Sequence, residues 1–198
     1  MPADRRDLRR RLFSLASEQA GYFTAAQAKD VGYSYQAQAH HVAAGNWLRI
    51  ERGLFRLAEW IPDVHDDLVR WSLWSRGRGV VSHETALAVH GIGEFESARV
   101  QLTVPSDFTM QDDSVVLHHA ELDAEEVQDR TGFRITTPAR SLIDVAAMAP
   151  DEDQLARAVE DARKRGLVSI RSLRTRAESV DARAALYLER AINRSGVS

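Results

Sequence analysis

GYFTAAQAKDVGYSYQAQAHHVAAGNWLRIERGLFRL, residues 21–57, is the stretch on which the reading of the fold turns. In Thr24-Ala25-Ala26-Gln27 the threonine hydroxyl can accept from the N–H three residues on. Gln27 can reach back to the Thr24 N–H, which makes a capping box led by apolar Phe23. The helix it opens is short, because Val31-Gly32-Tyr33 makes a tight turn. Ser34 supplies a second N-cap, and the pattern predicts a helix over 35–44 with Gly45 just past its end. Two short helices joined by a glycine-containing turn form a helix-turn-helix. Trp47-Leu48-Arg49-Ile50 and Leu54-Phe55-Arg56-Leu57 then flank Glu51-Arg52-Gly53, which predicts a β-hairpin in the position of a wing.

Upstream, Leu8, Leu12 and Leu15 recur at helical spacing and predict a first helix over 5–20, with arginines off its apolar stripe. Downstream, Pro62 disfavours helical backbone at the residue before it, so Trp60-Ile61-Pro62 closes a first domain, a winged helix-turn-helix over residues 1–60. A second domain is expected over 63–198. It opens on a helix carrying Leu68, Trp71 and Trp74, followed by a short strand at Val80-Val81 and a helix capped by Ser82 that ends before Gly91. Residues 99–104, 114–118 and 132–136 are strand-like, and Pro138 stands at the first position of another helix. Three amphipathic helices follow from Asp153, ending at Gly166, near Ser179 and at the terminus. The fold class is α+β: an N-terminal winged helix-turn-helix, then a mixed α/β domain with a small sheet flanked by helices.

With 44% apolar residues, the chain of 198 should fold around a core. No apolar run approaches the roughly 18 to 20 residues a membrane helix needs, and the arginine-rich start is followed by no signal-peptide stretch, so the expected location is the cytoplasm. The absence of cysteine excludes disulfides, thiol nucleophiles and cysteine-ligated metals. A net charge of -3 argues against a nucleic-acid binder until it is divided: residues 1–60 carry +3 and residues 61–198 carry -6. The asymmetry runs in the direction expected if the first domain meets phosphate.

Laid out at about 100° per residue, the third helix places Tyr35, Ala39, Val42 and Ala43 on its packed face. Ser34, Ala37, His40, His41 and Ala44 point away, with Gln36 and Gln38 on the flanks. Glutamine can bond adenine through N6 and N7, and a small residue lets a helix approach the major groove. The expected DNA-contacting set is therefore Ser34, Gln36, Ala37, Gln38, His40 and His41. Arg49, Arg52 and Arg56 of the wing, and Arg9 and Arg10 of the first helix, would neutralise phosphates. This helix carries little positive charge, so affinity should depend on the wing, the first helix or dimerisation. A winged helix can also serve as a protein-contact module, and that alternative stays open at this point.

GYFTAAQAKDVGYS (21–34), GNWLRIERGLFRL (45–57), VVSHETALAVHGI (80–92), LTVP (102–105) and TTPARSLIDVA (136–146) together resemble the AbiEi antitoxins of bacterial type IV toxin-antitoxin systems. The resemblance implies a repressor that binds an inverted repeat in its own promoter. It also implies a second domain that counteracts a nucleotidyltransferase-like toxin of AbiEii type. A palindromic operator would take two copies of the chain, since protein and site symmetries match.

The second domain offers His65, His83, His90, His118 and His119, which raises a metal-dependent hydrolase as a further alternative. His83-Glu84 begins like HExxH, but Leu87 stands where the second histidine is needed. These histidines are expected to pack and cap near element ends, with one of His118 and His119 in the core and the other exposed. The carboxylates at 112–113, 125–126 and 151–153 are expected to face water. Arg140 opposes its helix dipole and so is expected to serve an ion pair or a partner contact. No catalytic residue, metal ligand, cofactor or enzyme activity is expected.

Overall fold

A computed structural model describes residues 4–194. The chain divides into two compact units, one running to Arg78 and including Arg130–Phe133, the other taking Gly79–Asp129 and the chain from Arg134 onward. The first unit thus continues past residue 60 to take in the helix that the sequence assigned to the second domain.

In the first unit the order is α1 (Arg5–Ser17), β1 (Tyr22–Thr24), α2 (Ala25–Val31), α3 (Tyr35–Ala43), β2 (Trp47–Glu51), β3 (Leu54–Leu57) and α4 (Asp66–Trp74). The predicted capping box forms: Gln27 N donates to Thr24 Oγ1 at 3.1 Å and Thr24 N donates to Gln27 Oε1 at 2.8 Å. Ser34 caps α3, its Oγ accepting from Ala37 N at 3.2 Å. The strands form an antiparallel sheet in the order β1-β3-β2, so the wing hairpin carries a third strand. Sequence patterning did not show β1, because three residues immediately before a helix cap are too few to display an alternation. Leu12, Ala16, Phe23, Val31, Trp47, Phe55 and Leu57 close the core, with the Trp47 ring edge-on to Phe23 at 4.8 Å between centroids. Gly21 (φ +77°) is required between α1 and β1, since a Cβ there would overlap the Trp60 ring.

The second unit holds β4 (Val80–Val81), α5 (His83–His90), β5 (Val100–Val104), β6 (Val115–His119), a 3-10 turn (Ala124–Glu126), all but the facing end residues of β7 (Val127–Arg130) and β8 (Phe133–Thr136), α6 (Pro138–Ala147), α7 (Glu152–Lys164), α8 (Ile170–Val180) and α9 (Ala182–Arg194). Its sheet runs β6-β5-β4-β8-β7, with β5 antiparallel to β4, and with β6 parallel to β5 and β8 parallel to β4. Leu87, Ile92, Leu142, Ile143, Leu155, Val159, Leu173 and Leu188 make the core of the α5–α9 layer. The fold class is that expected, α+β with a winged helix followed by a mixed α/β unit. The predicted end of the last helix at the terminus lies outside the described residues. No helix among the described residues is long and apolar enough to cross a membrane.

Candidate nucleic-acid interface

The sequence's account of which α3 residues face outward needs correction. Gln38 is only 2% exposed, and its Nε2 donates to Ala25 O and to Tyr33 O, each at 3.0 Å. One amide group thereby satisfies two carbonyls where α2 and α3 meet, which buried backbone oxygens require. Gln38 is a clamp of the helix-turn-helix and is not free to read a base. His41 is half-buried, its ring stacked on Trp47 at 4.7 Å and 13°, with Asn46 Nδ2 within 3.3 Å of its Nδ1. Burial, helped by neighbouring His40, lowers the His41 pKa and favours the neutral ring. Ala37 is half-buried as well, and Ser34, though exposed, is engaged as the cap.

Of the residues expected on the packed face, only Val42 packs. Tyr35 (62% exposed), Ala39 and Ala43 join Gln36 and His40 on the outer face. Apolarity alone points the alanines and the tyrosine inward and the glutamine outward, and the observed helix is turned away from that arrangement. Hydrogen bonding reverses that order: Gln38 is buried with both N–H groups used, while Tyr35 lies outside beneath Lys29, whose Nζ is 5.4 Å from its ring centroid. In a helix this short, one mis-assigned residue turns the whole face. Gln38→Ala is therefore expected to destabilise the fold by about 2 kcal/mol, through the lost bonds to the Ala25 and Tyr33 carbonyls and the space left by a buried side chain, rather than to alter base preference. Urea unfolding followed by circular dichroism measures it, and an unchanged midpoint would contradict the clamp.

The wing arginines divide between two faces. Arg49 lies opposite Phe55, as Trp47 lies opposite Leu57, so these four share one face of the hairpin. Leu48 lies opposite Arg56, which also faces Tyr22 across β1, so Arg56 stands on the other face. Its guanidinium is 5.5 Å from the Tyr22 ring, and its Nε is buried without a hydrogen-bond partner. Arg49 and Arg52 are exposed, Arg52 beside Gly53 (φ +79°) at the turn. On α1, Arg9 meets the Glu59 carboxylate at 3.3 Å and Arg10 meets Asp7 at 3.0 Å. Both pairs are well exposed, hence worth little and open to exchange for phosphate.

The second unit holds two buried polar clusters. Arg140 Nε donates to Asp144 Oδ1 and its Nη1 to Glu126 Oε2, each at 2.7 Å, and Arg176 adds a second cation to Glu126 at 3.0 Å. Arg140 is thus an ion-pair residue, one of the two roles expected of it. Glu126, expected to face water, is 5% exposed because it supplies the counter-charge. Burial pushes Glu126 up, but the Asp123 N–H, the hydrogen bond and charge of Arg140 and the hydrogen bond of Arg176 together hold it below its usual range. Burial pushes Asp144 up to about 6 despite Arg140, and its Oδ2 has no partner.

Nearby, the His83 and His118 rings stack at 3.5 Å and 16°. His118 Nε2 bonds Gln101 Oε1 at 3.1 Å, and Gln101 Nε2 donates to Glu84 Oε2 at 3.1 Å. His118 is half-buried and His119 exposed, close to the division expected. Ser82 occupies the N-cap position but makes no side-chain cap bond; its Oγ lies 2.8 Å from His83 Nδ1. His90 donates to Thr136 O at 2.8 Å, and Gly91 ends α5 with φ +65°.

Residues 10–58 match the family model described as transcriptional regulator, AbiEi antitoxin. That span holds most of α1 and all of the helix-turn-helix and wing; the resembling stretches at 80–92, 102–105 and 136–146 lie outside it. Among solved structures, the RV2827C protein from Mycobacterium tuberculosis has a similar fold, with a TM-score of 0.62 and 15% sequence identity over 96% of this chain and 79% of that one. At that identity the likeness is one of fold alone. A search of the curated proteins found no match.

Proposed function

Starting from a first unit that carries the AbiEi antitoxin regulator pattern over residues 10–58, we propose that the protein is a DNA-binding antitoxin. It binds an inverted repeat in its own promoter through the first unit, and its second unit counteracts a nucleotidyltransferase-like toxin. The observation that carries the DNA reading is the exposed outer face of α3, Tyr35, Gln36, Ala39, His40 and Ala43, in a unit whose hairpin also exposes Arg49 and Arg52. Gln36 can pair with adenine, Ala39 and Ala43 can meet thymine methyls, and the two arginines can hold phosphates without reading sequence.

Fluorescence anisotropy with the chain's own upstream DNA, measured across a salt series, tests this. Arg49→Ala with Arg52→Ala should weaken binding to all sequences and flatten the salt slope by about one unit per lost phosphate contact. Gln36→Ala should instead change the preferred base at one position, by about 1 to 3 kcal/mol of discrimination. If the arginine pair leaves affinity and slope untouched, the wing assignment fails. Unaltered toxin neutralisation by a chain that binds no DNA would favour action through protein contact alone.

A further inference from the structure

The first unit contains a cavity of about 780 Å³ between α1 and α3, whose lining shares only His40 with the outer face of α3 proposed to meet bases. Its size falls in the range of small-ligand sites, about 300 to 1,000 Å³. Buried Tyr33 and Trp47 line it together with Leu8 and Phe13, and Phe13 is 47% exposed on a helix whose outer face is mostly arginine. The charged groups of the lining are Arg5, Arg9 and Glu59. Arg9 is hydrogen-bonded to Glu59, whereas the Arg5 guanidinium has no partner among the described residues, which leaves one uncompensated positive charge beside an aromatic, apolar surface. Ser34 and His40 of α3 line the same cavity.

We propose that this cavity binds a small planar organic anion, its ring against Tyr33 and Trp47 and its negative group at Arg5, and that occupancy weakens DNA binding. The second half rests on the DNA-binding reading. A seated anion cancels positive charge on α1 and contacts the helix that faces the groove, so ligand and DNA oppose one another, and linkage makes the opposition reciprocal.

The test titrates the full chain with 1-naphthoate and with its neutral isostere 1-naphthamide by calorimetry, without DNA. Naphthoate is expected to bind with a Kd on the order of 1 mM or tighter, which a ligand of this size reaches at ordinary efficiency. The amide should bind about tenfold more weakly, the size of effect expected for losing one charge-assisted contact. Arg5→Ala should bring the two compounds to the same affinity. Ala58 is exposed and lines the cavity, so Ala58→Trp should fill it and abolish binding of both while the circular dichroism spectrum stays that of the parent. No saturable binding, equal affinity for the two compounds in the parent chain, or undiminished binding in a folded Ala58→Trp protein each overturns the site. If Ala58→Trp does not fold, the Arg5→Ala comparison decides alone. Naphthoate should then lower operator affinity several-fold, and unchanged operator affinity at saturating naphthoate overturns the coupling. Naphthoate binding by a chain that binds no DNA overturns the regulator reading and leaves the site intact.

Discussion

Arg140→Leu is expected to cost about 3 to 5 kcal/mol of folding stability, a large part of the roughly 5 to 15 kcal/mol that holds a domain together. Arg140 places two of its nitrogens 2.7 Å from two different carboxylates, and all three side chains are at most 8% exposed. Removing the cation leaves the Asp144 carboxyl without a hydrogen bond and leaves Glu126 dependent on Arg176 and the Asp123 N–H. The loss therefore measures an uncompensated buried charge rather than the worth of the pair, and replacing both partners should recover part of it: Arg140→Leu with Asp144→Leu should be more stable than Arg140→Leu alone. Arg140→Lys should recover less than its charge suggests, because an ammonium on a flexible stem does not present two nitrogens to two carboxylates in fixed directions. Urea midpoints by circular dichroism would measure all three. A loss below about 1 kcal/mol for Arg140→Leu would mean that the cluster is far better hydrated than its burial implies.

The parts of this fold legible in the sequence are those written in local chemistry. Thr24, Gln27, Ser34, Gly45 and Thr137-Pro138 act over three or four residues, and each sits where its capping or helix-ending role requires. The elements missed depend on partners far along the chain. β1 is a strand because β3 lies beside it thirty residues later, with Phe23 opposite Phe55, and nothing in Tyr22-Phe23-Thr24 announces that partner. The candidate site follows the same division. Its helix and hairpin were readable, but the rotation of α3 depends on the carbonyls of Ala25 and Tyr33, which only the folded turn brings to Gln38. The arginines of the hairpin could have been sorted in advance, since Arg49 and Arg56 fall on opposite faces once the register Trp47 to Leu57 is drawn. Glu126 and Arg140 are fourteen residues apart, too distant for any helical or strand period to connect them.

Acid stability should expose two opposing titrations in the second unit, and single substitutions should separate them. Burial, the neighbouring His118 and the Arg140 charge lower His83 to about 3, against an ordinary 6.5. The unfolded chain then takes up this proton first, so the stability His83 contributes is present above pH 6.5 and is lost as pH falls towards 3, by about 3 kcal/mol at pH 4.5. His118, half-buried and lowered by the same desolvation, acts in the same direction. Asp144 does the reverse: burial raises it to about 6, against 3.8, so the folded state takes up its proton first and stability is gained as pH falls below 6, by about 2 kcal/mol at pH 4.5. Glu126, held below its ordinary 4.5, costs stability only at still lower pH. The parent chain should therefore still lose stability between pH 6.5 and 4.5, because the Asp144 gain offsets only part of the loss from His83 and His118. Asp144→Asn removes the gain and should steepen the acid loss. His83→Asn removes the larger loss, and it suits the left-handed backbone at this position (φ +55°), so its acid loss over the same window should be clearly shallower than the parent's. Unfolding free energies at half-unit pH steps give the slopes, which are insensitive to any constant cost of either substitution. Two variant curves running parallel to the parent would show that neither group carries its titration into the folded state.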